Sequence, residues 1–105
     1  MVNWKKLVKK IPNKVQLSSK GEYEIVWVDS FKEEDVVGET RFDRKQIAIK
    51  SKMSPKTTII TYLHEVTHGL SAEHDAQLTE NQVLAIEKGL YYLLKEGNLF
   101  KKDKA

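Results

Sequence analysis

The stretch that decides the fold is Thr61-Tyr62-Leu63-His64-Glu65-Val66-Thr67-His68-Gly69-Leu70. In an α-helix His64 and His68 project only about 40° apart, whereas Glu65 lies about 100° round from His64. Two imidazoles one turn apart can take two corners of a zinc tetrahedron, and a carboxylate beside them can reach a water on the metal. The H-E-x-x-H pattern therefore predicts a zinc site on a helix, with Glu65 as the general base that deprotonates the water.

The residues around the motif also favour a helix. Ser54 before Pro55 is typical of an N-cap followed by the first helical position, and neither Gly nor Pro recurs before Gly69. One arc of this helix is expected to face a core, and it carries Ile59, Ile60, Leu63, Thr67 and Leu70. The two motif histidines fall at the edge of the arc, where a cleft is expected. They are two of only three histidines in the chain, which favours a metal site over histidines on a half-buried helix face.

Length and composition limit the class of protein. The chain has 105 residues, and we expect one domain spanning 1–105. It contains no cysteine, which excludes disulfides, cysteine-rich zinc modules and thiol catalysis and fits a cytoplasmic location. No apolar run is long enough to span a membrane, and no signal-peptide pattern opens the chain, so we expect no membrane partner.

The net charge of +3 comes from lysines near both ends of the chain. The lysines in question are Lys5, Lys6, Lys9, Lys10, Lys14, Lys101, Lys102 and Lys104. Such runs can contact phosphate, but these lack the interleaved aromatic residues that stack on bases. We therefore expect a solvated helix face and a loose tail at 98–105, and we do not expect a nucleic-acid partner.

The hydrophobic pattern predicts an α+β fold. A short amphipathic helix is expected over residues 2–11, followed by strands at 15–17, 22–28, 39–42 and 46–50, the last two joined as a hairpin around Asp43-Arg44-Lys45. In the second strand apolar residues occupy both faces, which predicts that both are partly covered. Ile47 and Ile49 share one face of the fourth strand. The expected architecture is a small antiparallel or mixed sheet packed on the motif helix.

A further helix is expected after the motif. Thr79 with Gln82 three residues later forms a capping-box pattern, and Gly97-Asn98 is typical of a helix end. Its apolar stripe consists of Val83, Ile86, Leu90, Tyr91, Leu93 and Leu94. This helix completes the predicted minimal domain.

A catalytic zinc site needs a third protein ligand, and the downstream sequence offers three arguable ones. His74 nearly completes the metzincin pattern H-E-x-x-H-x-x-G-x-x-H, but Ser71 stands where that pattern has Gly, and no Met-turn follows. Glu80 shares a helix face with apolar residues, a costly position for a carboxylate unless a cation meets it. Glu87 lies on the same face about 10 Å further along, as a ligand or as a partner of a histidine ring. Glu80 is favoured, with His74 and Glu87 as alternatives.

Beyond the motif, the chain resembles a known family. The segments Leu63-His64-Glu65-Val66-Thr67-His68-Gly69-Leu70, Leu78-Thr79-Glu80-Asn81-Gln82-Val83 and Gly89-Leu90-Tyr91 resemble the small zincin-like proteins of phages and prophages of Gram-positive bacteria. These in turn resemble a minimal ImmA/IrrE-type metallopeptidase domain, where a second helix of pattern E-x-x-A-x-x-F-A supplies the third ligand. Glu80, Val83 and Ile86 match that pattern, and Glu87 departs from its last, small position.

The resemblance implies one zinc ion per chain, Glu80 as the third ligand and a peptide or protein substrate, such as a repressor or a host regulatory protein. We expect a metallopeptidase whose substrate pairs with the hairpin strand nearest the cleft, taken as Gln46–Lys50. Tyr62, Tyr91 and Tyr92 are candidate donors to the oxyanion. The alternative hypothesis is a protein that keeps this fold but acts by binding a host or phage protein.

Overall fold

The structure is a computed structural model that describes residues 2–97, so the tail predicted at 98–105 lies outside the described residues. Its elements are α1 (Trp4–Val8), β1 (Lys14–Ser18), β2 (Gly21–Val28), β3 (Gly38–Arg41), β4 (Gln46–Lys50), α2 (Pro55–Glu73) and α3 (Glu80–Glu96). The four strands form one sheet with helices packed against it, which confirms the α+β prediction.

The sheet is mixed and has the order β1-β2-β4-β3. The neighbours β1 and β2 are antiparallel, as are β3 and β4, whereas β2 and β4 pair in parallel. The predicted hairpin is therefore present, but Gln46–Lys50 is an inner strand with partners on both sides. The expectation that a substrate pairs with this strand is wrong, because the free edge on that side of the sheet is β3.

The core lies between the sheet and α2. Its fully packed residues come from three strands, and they are Leu17, Tyr23, Ile25, Ile47 and Ile49. Tyr62 and Val66 of α2 pack against this cluster. Ile47 and Ile49 share the helix-facing side, as predicted, while Val26 and Val28 on the opposite side of the sheet are half-buried.

Helix α1 is shorter than the predicted 2–11. The Asn3 side chain accepts a hydrogen bond from the Lys6 amide and caps the start. After Val8 the backbone hydrogen bonds span three residues instead of four. The Lys10 amide donates to the Leu7 carbonyl, and the Ile11 amide donates to the Val8 carbonyl. The reason is Pro12, which disfavours helical backbone in the residue before it.

The predicted core-facing arc of α2 is only partly correct. Ile59 and Thr67 are buried, but Leu70 is 38% exposed. The other buried positions of α2 include Thr58, Thr61, Glu65 and Gly69, which follow a helical spacing of three to four residues. Helix α2 is covered on several sides, by the sheet and by α1 and α3. Its apolar stripe alone therefore does not identify the side that meets the sheet.

Gly69 continues the helix instead of ending it. A Cβ atom at this position would lie 2.5 Å from Leu17 Cδ1, so the missing side chain lets α2 approach β1 closely. Gly38 has the same role at the other edge, where a Cβ atom would lie 2.5 Å from Thr61 Cγ2. These two glycines fix how near the helix lies to the sheet.

Helix α3 lies on the outer side of α2. Its start has the predicted capping box of Thr79 and Gln82, and its end is Gly97 in the left-handed conformation with φ of 69°. Of its side chains only Val83 is fully buried. Within residues 2–97 no helix combines the length and apolarity needed to cross a bilayer.

A carboxylate joins the end of α2 to the sheet. Glu73 accepts hydrogen bonds from Ser18 Oγ at 2.7 Å, Lys45 Nζ at 2.9 Å and Tyr23 OH at 2.9 Å. These three donors hold the pKa of Glu73 down at about 2, and burial, together with Glu73, raises the pKa of Tyr23 to about 12. The last turn of α2 is thereby tied to β1, β2 and the hairpin turn.

We expect Glu73→Gln to lower the melting temperature at neutral pH and to flatten the acid limb of the stability curve. The Glu73 pKa is below its ordinary 4.5, so the contribution of the carboxylate is present above about pH 4.5 and is lost as the pH falls towards 2. Thermal unfolding from pH 7 to 2 measures this, with Glu22→Gln in an exposed ion pair as the control. An equal gap between wild type and Glu73→Gln at all pH values would contradict it.

Candidate metal centre

The two motif histidines point to one place on α2. His64 Nε2 and His68 Nε2 are 3.2 Å apart, and both side chains are partly buried. The helix has no glycine or proline between Pro55 and Gly69, so regular helix geometry brings the rings together as the motif predicts.

The first turn of α3 brings Glu80 to the same place. Glu80 Oε1 lies 2.9 Å from His64 Nε2, and Oε2 lies 3.1 Å from His68 Nε2. Three ligand atoms from these residues lie within 4.8 Å of one another, a grouping suited to a metal ion. The Glu80 side chain is nevertheless 60% exposed, so the argument that it points along a buried apolar face is wrong, although the structure does bring Glu80 to the two histidines.

The less exposed carboxylate of this face is Glu87, which is half-buried. Its side chain is 16% exposed, and Oε1 lies 2.9 Å from His64 Nδ1. A carboxylate accepts hydrogen bonds, so a His64 ring that binds a metal through Nε2 would donate its Nδ1 proton to Glu87. Of the two roles considered for Glu87, the structure places it as the partner of a histidine ring.

The residues present fit a zinc ion. His64 Nε2 lies within 3.2 Å of both Glu80 Oε1 and His68 Nε2, and such electron-rich atoms repel one another unless a cation or a proton lies between them. The two Nε2 atoms are 3.2 Å apart, and each lies 2.9–3.1 Å from a different oxygen of Glu80, distances close to the edge of about 3.3 Å in a tetrahedron with zinc bonds of about 2.0–2.1 Å. Two imidazole nitrogens and a carboxylate also form a common donor set of catalytic zinc sites.

Glu65 lies next to this cluster but is held from the sheet side. The Thr40 hydroxyl of β3 lies 2.8 Å from Glu65 Oε1 and 2.9 Å from the Glu65 carbonyl oxygen. Glu65 is 8% exposed, and burial raises its pKa, while the Thr40 hydrogen bond and the two imidazoles act in the opposite direction. Gly38 makes room here, because a Cβ atom at this position would lie 3.1 Å from Glu65 Oε2.

A cleft of about 550 Å³ connects these groups. Its walls are residues 35–38, the N-terminal half of α2 from Thr57 to Glu65, and Glu80 and Glu87 of α3. The candidate metal ligands His64 and Glu80 therefore share one solvent-accessible space with the carboxylate of Glu65.

Other residues considered from the sequence lie elsewhere. His74 Nε2 is 2.7 Å from the Leu17 carbonyl oxygen of β1, so His74 is not part of the cluster. Tyr62 packs against the core, Tyr91 stacks on Trp4 with ring centroids 5.5 Å apart, and Tyr92 is exposed. None of these tyrosines lines the cleft, so the candidate oxyanion donors are not supported.

Two residues of the site were not found from the sequence. Thr40 lies in a predicted strand, but the strand pattern does not tell which helical residue it meets. Asp35 lies in a charged connector that has no periodicity. Only the packing of residues 35–40 beside α2 brings both to the cleft.

Comparisons with known proteins do not assign a family. No family model, curated protein or solved structure matches this chain. The resemblance to zincin-like domains therefore stays a prediction from the sequence.

We expect the purified protein to bind one zinc ion, measured by metal analysis and chelator competition. His68→Ala and Glu80→Ala each remove a donor, so zinc affinity should fall by more than the roughly 10–100-fold typical of losing an outer partner. His74→Ala is the matched control, since His74 lies against β1, and it should bind zinc like wild type. Unchanged zinc affinity in His68→Ala or Glu80→Ala would contradict this ligand set.

We expect Glu87→Gln to keep one bound zinc ion but to weaken its affinity by about 10–100-fold, since Glu87 orients the His64 ring and raises its basicity. Competition with a fluorescent zinc chelator measures the change. Glu96→Gln, in the last turn of the same helix, is the control for removing one acidic charge from α3. A zinc affinity in Glu87→Gln equal to that of Glu96→Gln would show that the contact with His64 Nδ1 does not matter.

Proposed function

We propose that this chain is a zinc-dependent metallopeptidase of the zincin-like class that hydrolyses peptide bonds. The observation that carries the proposal is the convergence of two imidazoles and the Glu80 carboxylate at the side of a cleft that also contains a second, buried carboxylate, Glu65. A fold that only needed packing would gain nothing from grouping these atoms, since each is costly to desolvate without a partner.

His64, His68 and Glu80 would hold the metal. A bound zinc ion supplies Lewis acidity, which polarises a peptide carbonyl and brings the pKa of water towards neutrality. The Glu87 carboxylate holds the His64 ring through Nδ1, so that Nε2 stays directed at the metal position. The two oxygens of Glu80 face different histidines, so either oxygen could serve as the ligand atom.

Glu65 acts as the general base and then as the general acid. Thr40 fixes Oε1, leaving Oε2 to take the proton of the attacking water and later deliver it to the leaving nitrogen. The burial that raises the Glu65 pKa brings it nearer to a physiological operating pH, which suits a group that must both accept and release a proton.

The substrate backbone has a natural place at the edge strand β3. The Lys50 amide donates to the Val37 carbonyl, so these two residues form a hydrogen-bonded pair. In an antiparallel ladder such pairs recur at every second residue, so the next ones are Glu39–Ala48 and Arg41–Gln46. The N–H and C=O groups of Gly38 and Thr40 then point away from β4, where an extended peptide can pair with them. Gly38 lines the cleft, so a peptide bound there passes Glu65.

The resemblance to phage and prophage zincin-like domains suggests the biological setting. A repressor or a host regulatory protein is the proposed substrate, and the proposed location is the cytoplasm.

We expect Glu65→Gln to abolish zinc-dependent peptide cleavage, with a loss of at least about 10²–10⁴-fold, because an amide cannot accept the proton of water. The same variant should bind zinc with wild-type stoichiometry. Mass spectrometry of a diverse peptide library, incubated with zinc-loaded wild type and with the variant, measures the cleavage. Metal analysis of the purified variant measures its zinc stoichiometry.

Glu73→Gln is the control, since it also neutralises a carboxylate of α2, outside the cleft, and should retain cleavage at temperatures where it stays folded. Zinc-loaded wild type that leaves the whole library intact would contradict the peptidase proposal. It would favour the alternative of a protein that keeps the zinc site and acts by binding another protein.

A further inference from the structure

We propose that the cleft selects peptides with a lysine or arginine close to the scissile bond. This inference rests on the proposed peptidase function and adds the substrate class. It follows from the charges, the apolar wall and the position of Asp35, none of which the H-E-x-x-H motif specifies.

The cleft is strongly acidic. Four carboxylates line it, those of Asp35, Glu65, Glu80 and Glu87. Within the described residues no lysine or arginine lines it, and His64 is its only basic side chain. A divalent cation offsets two of these four charges, so the loaded cleft remains negative beside the metal.

This acidity contrasts with the rest of the protein. The chain as a whole has a net charge of +3, and lysines close to the site are directed elsewhere. Lys56, next to the cleft residue Thr57, places its Nζ 5.2 Å from the centre of the Tyr91 ring. The cleft is thus more acidic than the chain as a whole, and its low-dielectric walls strengthen the negative potential and raise the local concentration of cationic groups.

The shape of the cleft fits a long basic side chain. Val36, Val37 and Ile60 form an apolar wall, which suits the aliphatic stem of lysine or arginine. Asp35, which precedes Val36 in the chain, is exposed and also lines the cleft, and among residues 2–97 no ion pair engages it. A side chain lying along Val36 and Val37 can therefore bury its methylene groups and bring its charge to the Asp35 carboxylate.

The backbone geometry places this subsite beside the reaction centre. Residues 35–37 lead directly into β3, and Gly38 is both the first residue of that strand and part of the cleft wall. A peptide paired with Gly38 and Thr40 keeps its neighbouring side chains within reach of residues 35–37, because successive strand residues are only about 3.3 Å apart. The basic residue is therefore expected next to, or one residue away from, the bond that is cleaved.

The test uses capped alanine-based peptides that carry one lysine, arginine, norleucine or glutamate at each position in turn. Zinc-loaded Glu65→Gln protein reports binding by calorimetry, and zinc-loaded wild type reports cleavage. Lysine and arginine peptides should bind about tenfold more tightly than norleucine peptides, which have the same stem without the charge, and the advantage should shrink at high salt. Asp35→Asn should reduce that advantage about twofold to fivefold.

Glu34→Gln is the matched control, because Glu34 is an exposed neighbour that does not line the cleft, and it should leave the preference unchanged. Equal binding of lysine and norleucine peptides would overturn the inference even if both were cleaved, in which case the peptidase proposal would stand. Conversely, lysine-selective binding that depends on Asp35 without any cleavage would support the charge preference and contradict the peptidase proposal.

Discussion

The packing of α2 between the sheet and the other two helices is the constraint on which this structure depends. Two glycines, Gly38 and Gly69, set the distance between helix and sheet, because a side chain at either would collide with a neighbour. Glu73 ties the last turn of α2 to three donors on the sheet side. With the helix fixed in this way, the rings of His64 and His68 have little freedom to separate.

Three glutamates lie at the proposed site, and their surroundings suit them to different roles in the proposed mechanism. Glu80 is largely exposed and meets both Nε2 atoms, which suits a ligand that exchanges a metal with solvent. Glu87 is half-buried with Oε1 2.9 Å from Nδ1, where it would accept the ring proton of a metal-bound His64. Glu65 is buried on the opposite side and is held by Thr40, which leaves one oxygen for proton transfer. The same carboxylate group is thus suited to three different roles in the proposed site, because the burial and the hydrogen-bond partners of the three glutamates differ.

The edge strand β3 connects the packing of the domain with its proposed chemistry. Thr40 bonds to the carboxylate and to the main chain of Glu65, so the strand that would bind a substrate also positions the base. The connector before β3 carries Asp35 to the same cleft. A change in how α2 packs on β3 would therefore alter substrate position, base orientation and cleft charge together.

The sequence by itself determined most of the local structure of this protein and the proximity of His64 and His68 on one helix. Helix spacing, the Thr79 cap and the strand patterns are properties of short segments, so residues close in the chain suffice to predict them. Only the tertiary structure decided the parallel pairing of β2 with β4, the choice between Glu87 as ligand and as ring partner, and the contact of Thr40 with Glu65. These features depend on how distant segments pack, and hydrophobic periodicity gives the face of an element without naming the residue that it meets.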